Sequence, residues 1–489
     1  MNAWTLLIPI LLPMIGGGLL YFFPIKDDRK RMCYVMTLVV TNSALVYWML
    51  IQGVEGTCRA LVMAHNMTIH FHIDGFSRVF AGIIAGLWPL AALYAFEYMK
   101  HEGRNNLFFS FYTMTYGVCI GIAFAANLMT LYMFYELLTL STLTLVIHKL
   151  DQPSILAARK YMVYSLAGAA FAFIGFMFIL QYGTTTDFVY GGVLDPGRIA
   201  GKENLLLFIF VIAVLGFGVK AAIFPFHGWL PTASVAPTPV TALLHAVAVV
   251  KAGAFAIMRI TYYSFGTDFL RGTWTQTVMM TFAIVTIVFA SSRAVKEIHL
   301  KRRLAYSTIS NLSYIIFGAS IMTPSGFCGG MAHMVTHAVM KITLFFCAGA
   351  IMHQTNKEYI YELKGIGRSM PFVMGCFTIG SAAVMGVPLL CGFVSKWTIL
   401  TAAVTSQNGY AMLGVAAILF SAFLTAVYLF SIVVKAFFRT ENLTETVKNQ
   451  DPNWYMKAPL VLLTVTVILI GVYSGPLLRF LEQIAFGRI

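Results

Sequence analysis

Five ionisable side chains stand inside long apolar runs of this 489-residue chain. Glu136 lies in the middle of NLMTLYMFYELLTLSTLTLVIH, 127–148, and Lys220, Lys251, Lys341 and Lys396 lie deep in other runs. A further lysine, Lys435, is close enough to the end of its run for its long side chain to reach the interface. A charge at mid-membrane costs about 2.5–3.5 kcal/mol on insertion scales, and such residues face a bundle interior and mark ion or proton paths. A buried Lys–Glu salt bridge that only fixes helix packing is the alternative. It does not account for the set, because four deep lysines share one clear mid-run carboxylate. The surplus lysines must spend time neutral or be solvated by internal water, and a desolvated lysine exchanges its proton readily.

The segment HMVTHAVMKITLFFCAGA, 333–350, places His333, His337 and Lys341 at i, i+4 and i+8. These positions share one helical face. Imidazole titrates near neutral pH, so the stripe suits proton relay. Two histidines at this spacing could also hold a metal, but the segment supplies no acidic or thiol third ligand, and no metal is expected. His245, in LLHAVAVVKAGAFAIMR, is either a packing residue or a secondary member of the path.

Two prolines stand near two of these lysines. Pro225 follows Lys220 and would free the carbonyl of Ala221; Pro388 precedes Lys396 and would free that of Val384. Broken helices at membrane depth are tolerated where they line a cavity or are buried in protein. A break beside a buried lysine, seen twice, points to function more than to ordinary kinking.

The elements that must position these residues are membrane helices. Hydrophobic residues are 59% of the chain and charged residues only 11%, whereas soluble domains carry about a quarter. The expected spans are 3–23, 32–53, 75–97, 107–125, 127–147, 161–182, 204–226, 240–263, 274–292, 303–322, 327–351, 371–394, 409–438 and 458–482. Each is long enough to cross about 30 Å of hydrocarbon as a helix and too long for a barrel strand. Spans 4 and 5 are divided by a tight turn near Asn127. The loops 54–73 and 183–203 are too short for a domain, and the first span lacks the basic n-region of a signal peptide.

The net charge of +14 is a topology signal. One set of alternate loops carries Lys26, Arg29, Lys30, Arg31, Lys100, Arg104, Lys149, Lys301, Arg302, Arg303, Arg439 and Lys448, among others. The opposite side carries only Arg59, Arg78, Arg198, Lys202, Arg259, Arg271, Arg479 and Arg488. The positive-inside rule makes the first set cytoplasmic and puts both termini outside. Partners are then a lipid bilayer and other membrane proteins, not nucleic acid. The seven cysteines form no CxxC pair, and neither GxGxxG nor Walker A occurs. No cofactor is expected in this chain, so energy for transport must arrive from outside it.

An internal echo is present. GFGVK, 216–220, resembles GFVSK, 392–396, each beside a proline break and five spans apart. An odd offset is the mark of an inverted repeat. The expected organisation is a single membrane domain over 1–489: helices 1–3 in 1–106, a first repeat (helices 4–8) in 107–263, a second (helices 9–13) in 274–438, and helix 14 in 439–489.

In order along the chain stand YELLTLST around Glu136, GFGVKAAIFPFHGWLP at 216–231, HAVAVVKAG around Lys251, THAVMKITLFFCAG around Lys341 and GVPLLCGFVSKW around Lys396. With these motifs the chain resembles the antiporter-like subunits shared by respiratory complex I, Mrp-type sodium/proton antiporters and membrane-bound hydrogenases. The resemblance implies an all-α polytopic fold of about fourteen transmembrane helices, with two inverted five-helix repeats and helices 7 and 12 discontinuous. By it, Glu136 pairs with Lys220 in a first half-channel, Lys251 is the central connecting lysine, and Lys396 ends the second half-channel. His333 and His337 match the histidine-bearing helix between them. The absence of a long lateral helix after the last span makes it similar to a middle-type subunit.

The function so implied is a proton-translocating membrane subunit of a redox-driven complex, such as a membrane-bound hydrogenase or a quinone oxidoreductase, with no redox centre of its own. The expected location is a bacterial or archaeal cytoplasmic membrane. An Mrp-type subunit that moves sodium against protons is one alternative, and a non-conducting structural subunit is another.

Overall fold

A computed structural model describes residues 3–53, 56–64, 67–438 and 450–488. Arg439, Lys448 and the first part of the expected C-terminal segment, 439–449, lie outside the described residues. The chain is a bundle of helices numbered here in order: α1 Ala3–Phe22, α2 Asp28–Gln52, α3 Gly75–His101, α4 Asn105–Ala123, α5 Leu128–Val146, α6 Gln152–Tyr182, α7 Glu203–Lys220 with Trp229–Ala233, α8 Thr238–Phe265, α9 Trp274–Lys296, α10 Leu300–Ser320, α11 Pro324–Thr355, α12 Pro371–Met385 with Cys391–Thr405, α13 Ala411–Phe438 and α14 Trp454–Val472.

Among the described residues, 12 helices are long and apolar enough to cross a membrane. The other two expected spans are α10 and α12. α12 falls short because it is in two pieces. α10 is long enough but polar: Lys301, Arg303, Ser307, Thr308, Ser310, Asn311 and Ser313 are all buried in it. Protein, not lipid, covers this helix, so its sequence need not be apolar all round. α8 and α11 form the centre, with 100% and 94% of their apolar windows buried against 33% for α2 and α14.

Helix starts follow the capping rules. Asp27, Asp74, Asn127, Asp151 and Thr323 each accept a backbone N–H of the first turn. Asn127, read from sequence as a turn, is the N-cap of α5, and its amide also donates to the Thr68 carbonyl at 2.7 Å. That carbonyl belongs to a feature the all-helical expectation did not contain. Strands β1 Cys58–Ala64 and β2 Met67–Phe71 form an antiparallel hairpin within the loop 54–73. It caps the end of the bundle opposite the basic loops, and His70 meets Asp187 of the other long loop at 3.1 Å. Alternation of apolar and polar residues in so short a run was masked by the surrounding hydrophobic helices.

Among the described residues, three of the helices named above are interrupted. α7 stops at Lys220 and resumes at Trp229; α12 stops at Met385 and resumes at Cys391. Pro225 and Pro388 lie in these linkers. Pro225 therefore does not kink a continuous helix at Ala221 as the sequence suggested: the helix has already ended one residue before Ala221. The third interruption has no proline. α8 breaks at Val247 and Ala248, between Thr238–Ala246 and Val249–Arg259, and the Leu243 carbonyl accepts both their N–H groups, at 3.0 and 2.8 Å.

Candidate proton-transfer row

Glu136 and Lys220 are brought together by α5 and the end of the first half of α7. Their charged groups are 3.7 Å apart. Lys220 is 1% exposed, and its ammonium also donates to the Tyr135 carbonyl and sits 3.4 Å from the Tyr135 ring centroid. Tyr135 is itself held by its hydroxyl, which donates to the Phe217 carbonyl at 3.0 Å. The break makes this possible. A lysine at a helix end can turn its side chain across the axis towards a neighbour.

Gly253 couples this site to the next. A Cβ there would stand 2.5 Å from the Ala221 nitrogen and 2.9 Å from the Lys220 carbonyl carbon. Only a glycine lets α8 press against the end of the first α7 segment, and that contact carries Lys251, two residues earlier, to the bundle centre. Lys251 Nζ lies 2.5 Å from His337 Nδ1 of α11. No carboxylate forms an ion pair with Lys251, Lys341 or Lys396 among the described residues. Two cations this close would repel by about 7 kcal/mol at an effective dielectric constant of about 20. The Lys251–His337 pair therefore holds at most one excess proton.

The stripe read from the sequence is present on α11. The His333 and His337 rings have centroids 5.8 Å apart. His333 Nδ1 is 2.9 Å from the Ser395 hydroxyl, next in sequence to Lys396, and Thr336 also donates to Ser395 at 2.8 Å. Lys396 Nζ donates to the carbonyls of Val384 and Met385 at 2.7 and 3.1 Å. The carbonyl expected to be freed by Pro388 is thus the one Lys396 takes. Gly386, at φ +99°, lets the chain turn there, and a Cβ on it would be 3.3 Å from Lys396 Cδ. Lys396 also stands 5.2 Å from the Tyr314 ring, which lies 5.3 Å from the His333 ring.

Lys341 and His245 are placed differently. Lys341 Nζ turns to α10, donating to the Ser307 hydroxyl at 2.6 Å and, more weakly, to the Leu304 carbonyl at 3.4 Å. Tyr428 donates to the same Ser307 hydroxyl at 2.7 Å. His245 is buried with its ring 4.7 Å from that of Phe345 and a 3.5 Å contact to Ser234. It bonds to no lysine of the row. Sequence reasoning missed Ser395, Ser307 and Tyr428, because isolated hydroxyls in helices are common and carry no signal. Among the described residues, no group of three or more His, Cys, Asp or Glu is arranged to hold a metal.

Several buried polar atoms along the row have no hydrogen-bond partner in the protein: Glu136 Oε1, which is within ion-pair distance of Lys220 only, His245 Nδ1, His333 Nε2 and His337 Nε2. Buried polar groups are normally satisfied by protein or by ordered water. Each histidine of the row thus has one ring nitrogen fixed by a side chain and one open to a bridging water. That is the arrangement a relay needs, taking a proton on one nitrogen and releasing one from the other.

The sequence pattern described as "NADH:quinone oxidoreductase/Mrp antiporter, TM" matches residues 125–425, well over half of the chain. The chain belongs to this family. The pattern described as the N-terminus of chain 5 of complex I matches residues 61–109. Curated family members include a sodium/proton antiporter subunit of Alkalihalophilus pseudofirmus, 31% identical over 95% of this chain and 59% of that protein. A probable potassium/proton antiporter subunit of Rhizobium meliloti is 28% identical, with 96% of this chain and 47% of that protein covered. An NADH-quinone oxidoreductase subunit of Desulforudis audaxviator is 31% identical, with 73% and 70% covered. The chain therefore spans only about half to three-fifths of the first two relatives. The family fold is shared by the Mrp complex from Dietzia, with TM-score 0.87, 19% identity and 99% and 97% coverage. It is shared also by respiratory complex I from Thermus thermophilus, with TM-score 0.82, 22% identity and 99% and 98% coverage.

Proposed function

We propose that this chain is a proton-translocating subunit of a larger membrane assembly. The observation that carries the reading is the row Glu136, Lys220, Lys251, His337, His333 and Lys396, buried throughout apart from Glu136, with each lysine beside a helix break. Glu136 holds the proton on Lys220. When its charge is cancelled or withdrawn, that proton moves towards Lys251, the Lys251–His337 pair passes its one excess proton to His333, and Lys396 exchanges with one aqueous face. The segments 107–263 and 274–438 are the two half-channels, and the basic loops face the cytoplasm with both termini outside. His245 is a packing residue at the edge of this path.

Relatives bear the names of sodium/proton, potassium/proton and quinone oxidoreductase subunits. We infer partners of the same kind: neighbouring membrane subunits whose buried charges adjoin this row. A redox-driven complex is the main reading. The Mrp-type alternative is favoured by the sodium/proton antiporter relative, which matches 95% of this chain. Native purification distinguishes them, since copurified redox subunits mark the first and cation-antiporter subunits the second. Proton movement in inverted vesicles tests both. Lys220→Ala should leave the protein inserted and strongly impair the pH gradient; a near-normal gradient at matched protein levels would refute the reading.

A further inference from the structure

At the basic end of the bundle, a polar cavity of about 460 Å³ opens between the ends of α3, α5 and α11. His101, Glu102, Lys149, His353 and Glu358 line it, and Tyr98 is part of its wall. Its carboxylates are held by bases at the rim. Lys149 meets Glu102 at 3.2 Å, and His299 meets Glu358 at 3.3 Å. The strand-like contact of 298–300 with 358–360, with Leu300 N–H donating to the Glu358 carbonyl at 3.0 Å and Ile360 N–H to that of Ile298 at 3.0 Å, ties this wall to the start of α10.

Lys301 stands directly after that tie. Its sequence position reads as a loop lysine, yet it is only 4% exposed. No carboxylate is within ion-pair distance of it among the described residues. Its hydrogen bond goes inward, from Nζ to the Ala236 carbonyl at 2.9 Å. Two residues on, Thr238 donates to the Tyr98 hydroxyl at 3.2 Å. Segment 236–238 is thus held both by the cavity wall and by Lys301. Further along α10, Leu304 and Ser307 hold Lys341. Lys301 and Ser307 are about 9 Å apart along the helix axis.

We propose that this cavity is the proton-uptake vestibule of the row, and that Lys301 is a proton-transfer residue linking it to Lys341. This rests on the proton-conducting reading above. Protons collected at Glu102, Glu358 and His353 pass to Lys301, and from it along α10 to Lys341, which lies one turn from His337 on α11, the partner of Lys251 on α8. The proton count is unchanged at each hand-over, each base taking one and releasing one.

The test uses the full chain in its native membrane, with five variants compared at matched protein level. Lys301→Met and Lys301→Arg should each lower the initial rate of proton movement by about 100-fold, the scale of a lost positioned proton carrier. Arginine keeps the charge and the donors but does not release its proton. A wild-type rate in Lys301→Arg would make Lys301 a structural clamp and overturn the proposal. The rim variant Glu102→Gln/Glu358→Gln, which alters half-buried Glu102 and exposed Glu358, decides the matter if the Lys301 variants fail to accumulate. A loss of about tenfold supports the vestibule, and an unchanged rate overturns it. Met352→Cys, placed in the cavity wall of a Cys33→Ser background, should react with a membrane-impermeant thiol reagent from the basic side only, and absence of labelling overturns the proposal. Lys220→Ala run in parallel separates the two readings. If it conducts normally, proton conduction itself fails. If it is inactive while the Lys301 variants conduct, only the uptake route fails.

Discussion

Replacing Glu136 with glutamine keeps the shape of the side chain and removes its charge. In the structure the carboxylate stands 3.7 Å from Lys220 Nζ. At an effective dielectric constant of about 20 this pair is worth about 4.5 kcal/mol. That is roughly 2,000-fold in the equilibrium that keeps the proton on Lys220. The Tyr135 carbonyl and ring remain as neutral partners, so the substitution removes the charge term and little else. The carboxylate side chain is 24% exposed, and screening by solvent reduces the expected loss of rate to about 100-fold. The assay is the initial rate of pH-gradient formation in inverted vesicles at matched protein levels. Because the two residues act as one unit, Glu136→Gln/Lys220→Ala should be no slower than the worse single variant. A wild-type rate in Glu136→Gln, or losses that multiply in the double variant, would refute the electrostatic switch.

Lys396→Glu should transport better than Lys396→Leu in the same assay, because a site that exchanges with water needs a titratable group more than a given sign; equal loss in both would show that the positive charge is required. Burial alone would raise the Asp74 carboxyl, but the charge and hydrogen bonds of Arg259, with Ser77, outweigh it and hold it at about 2 against an ordinary 3.8. A depressed carboxylate stabilises the fold above its unfolded value, so thermal stability in detergent should fall as pH drops from 3.8 towards 2. Asp74→Asn should remove that fall and cost about 3–5 kcal/mol at neutral pH, since Arg259, 1% exposed, loses its counter-charge. A variant as stable as the parent would show that the pair is dispensable. The purified chain alone in liposomes should exchange little sodium or protons under an imposed gradient, and fast, saturable exchange that disappears in Lys220→Ala would show that it needs no partners.

The polytopic helical class was legible from composition, because lipid imposes a length and an apolarity on each span that few other environments require. The buried charges Glu136, Lys220, Lys251, Lys341 and Lys396 were legible for the same reason: each stands alone in an apolar run, and its cost marks it. The stripe His333, His337, Lys341 followed from helical periodicity, a local property. The family motifs added the Glu136–Lys220 pairing. What sequence could not decide was which distant side chains meet. Lys251 and His337 are 86 residues apart, and their 2.5 Å contact exists because Gly253 lets α8 press against the end of the first α7 segment. The break in α8 carries no proline and so leaves no mark in the chain. Lys301 and Arg303 looked like surface loop residues because they follow a basic turn, and only the packing of neighbouring helices over α10 shows them buried. Hydropathy records what a segment would prefer next to lipid or water. Whether another helix stands there instead is settled by tertiary packing, and that packing placed the histidines, hydroxyls and helix breaks around the lysines.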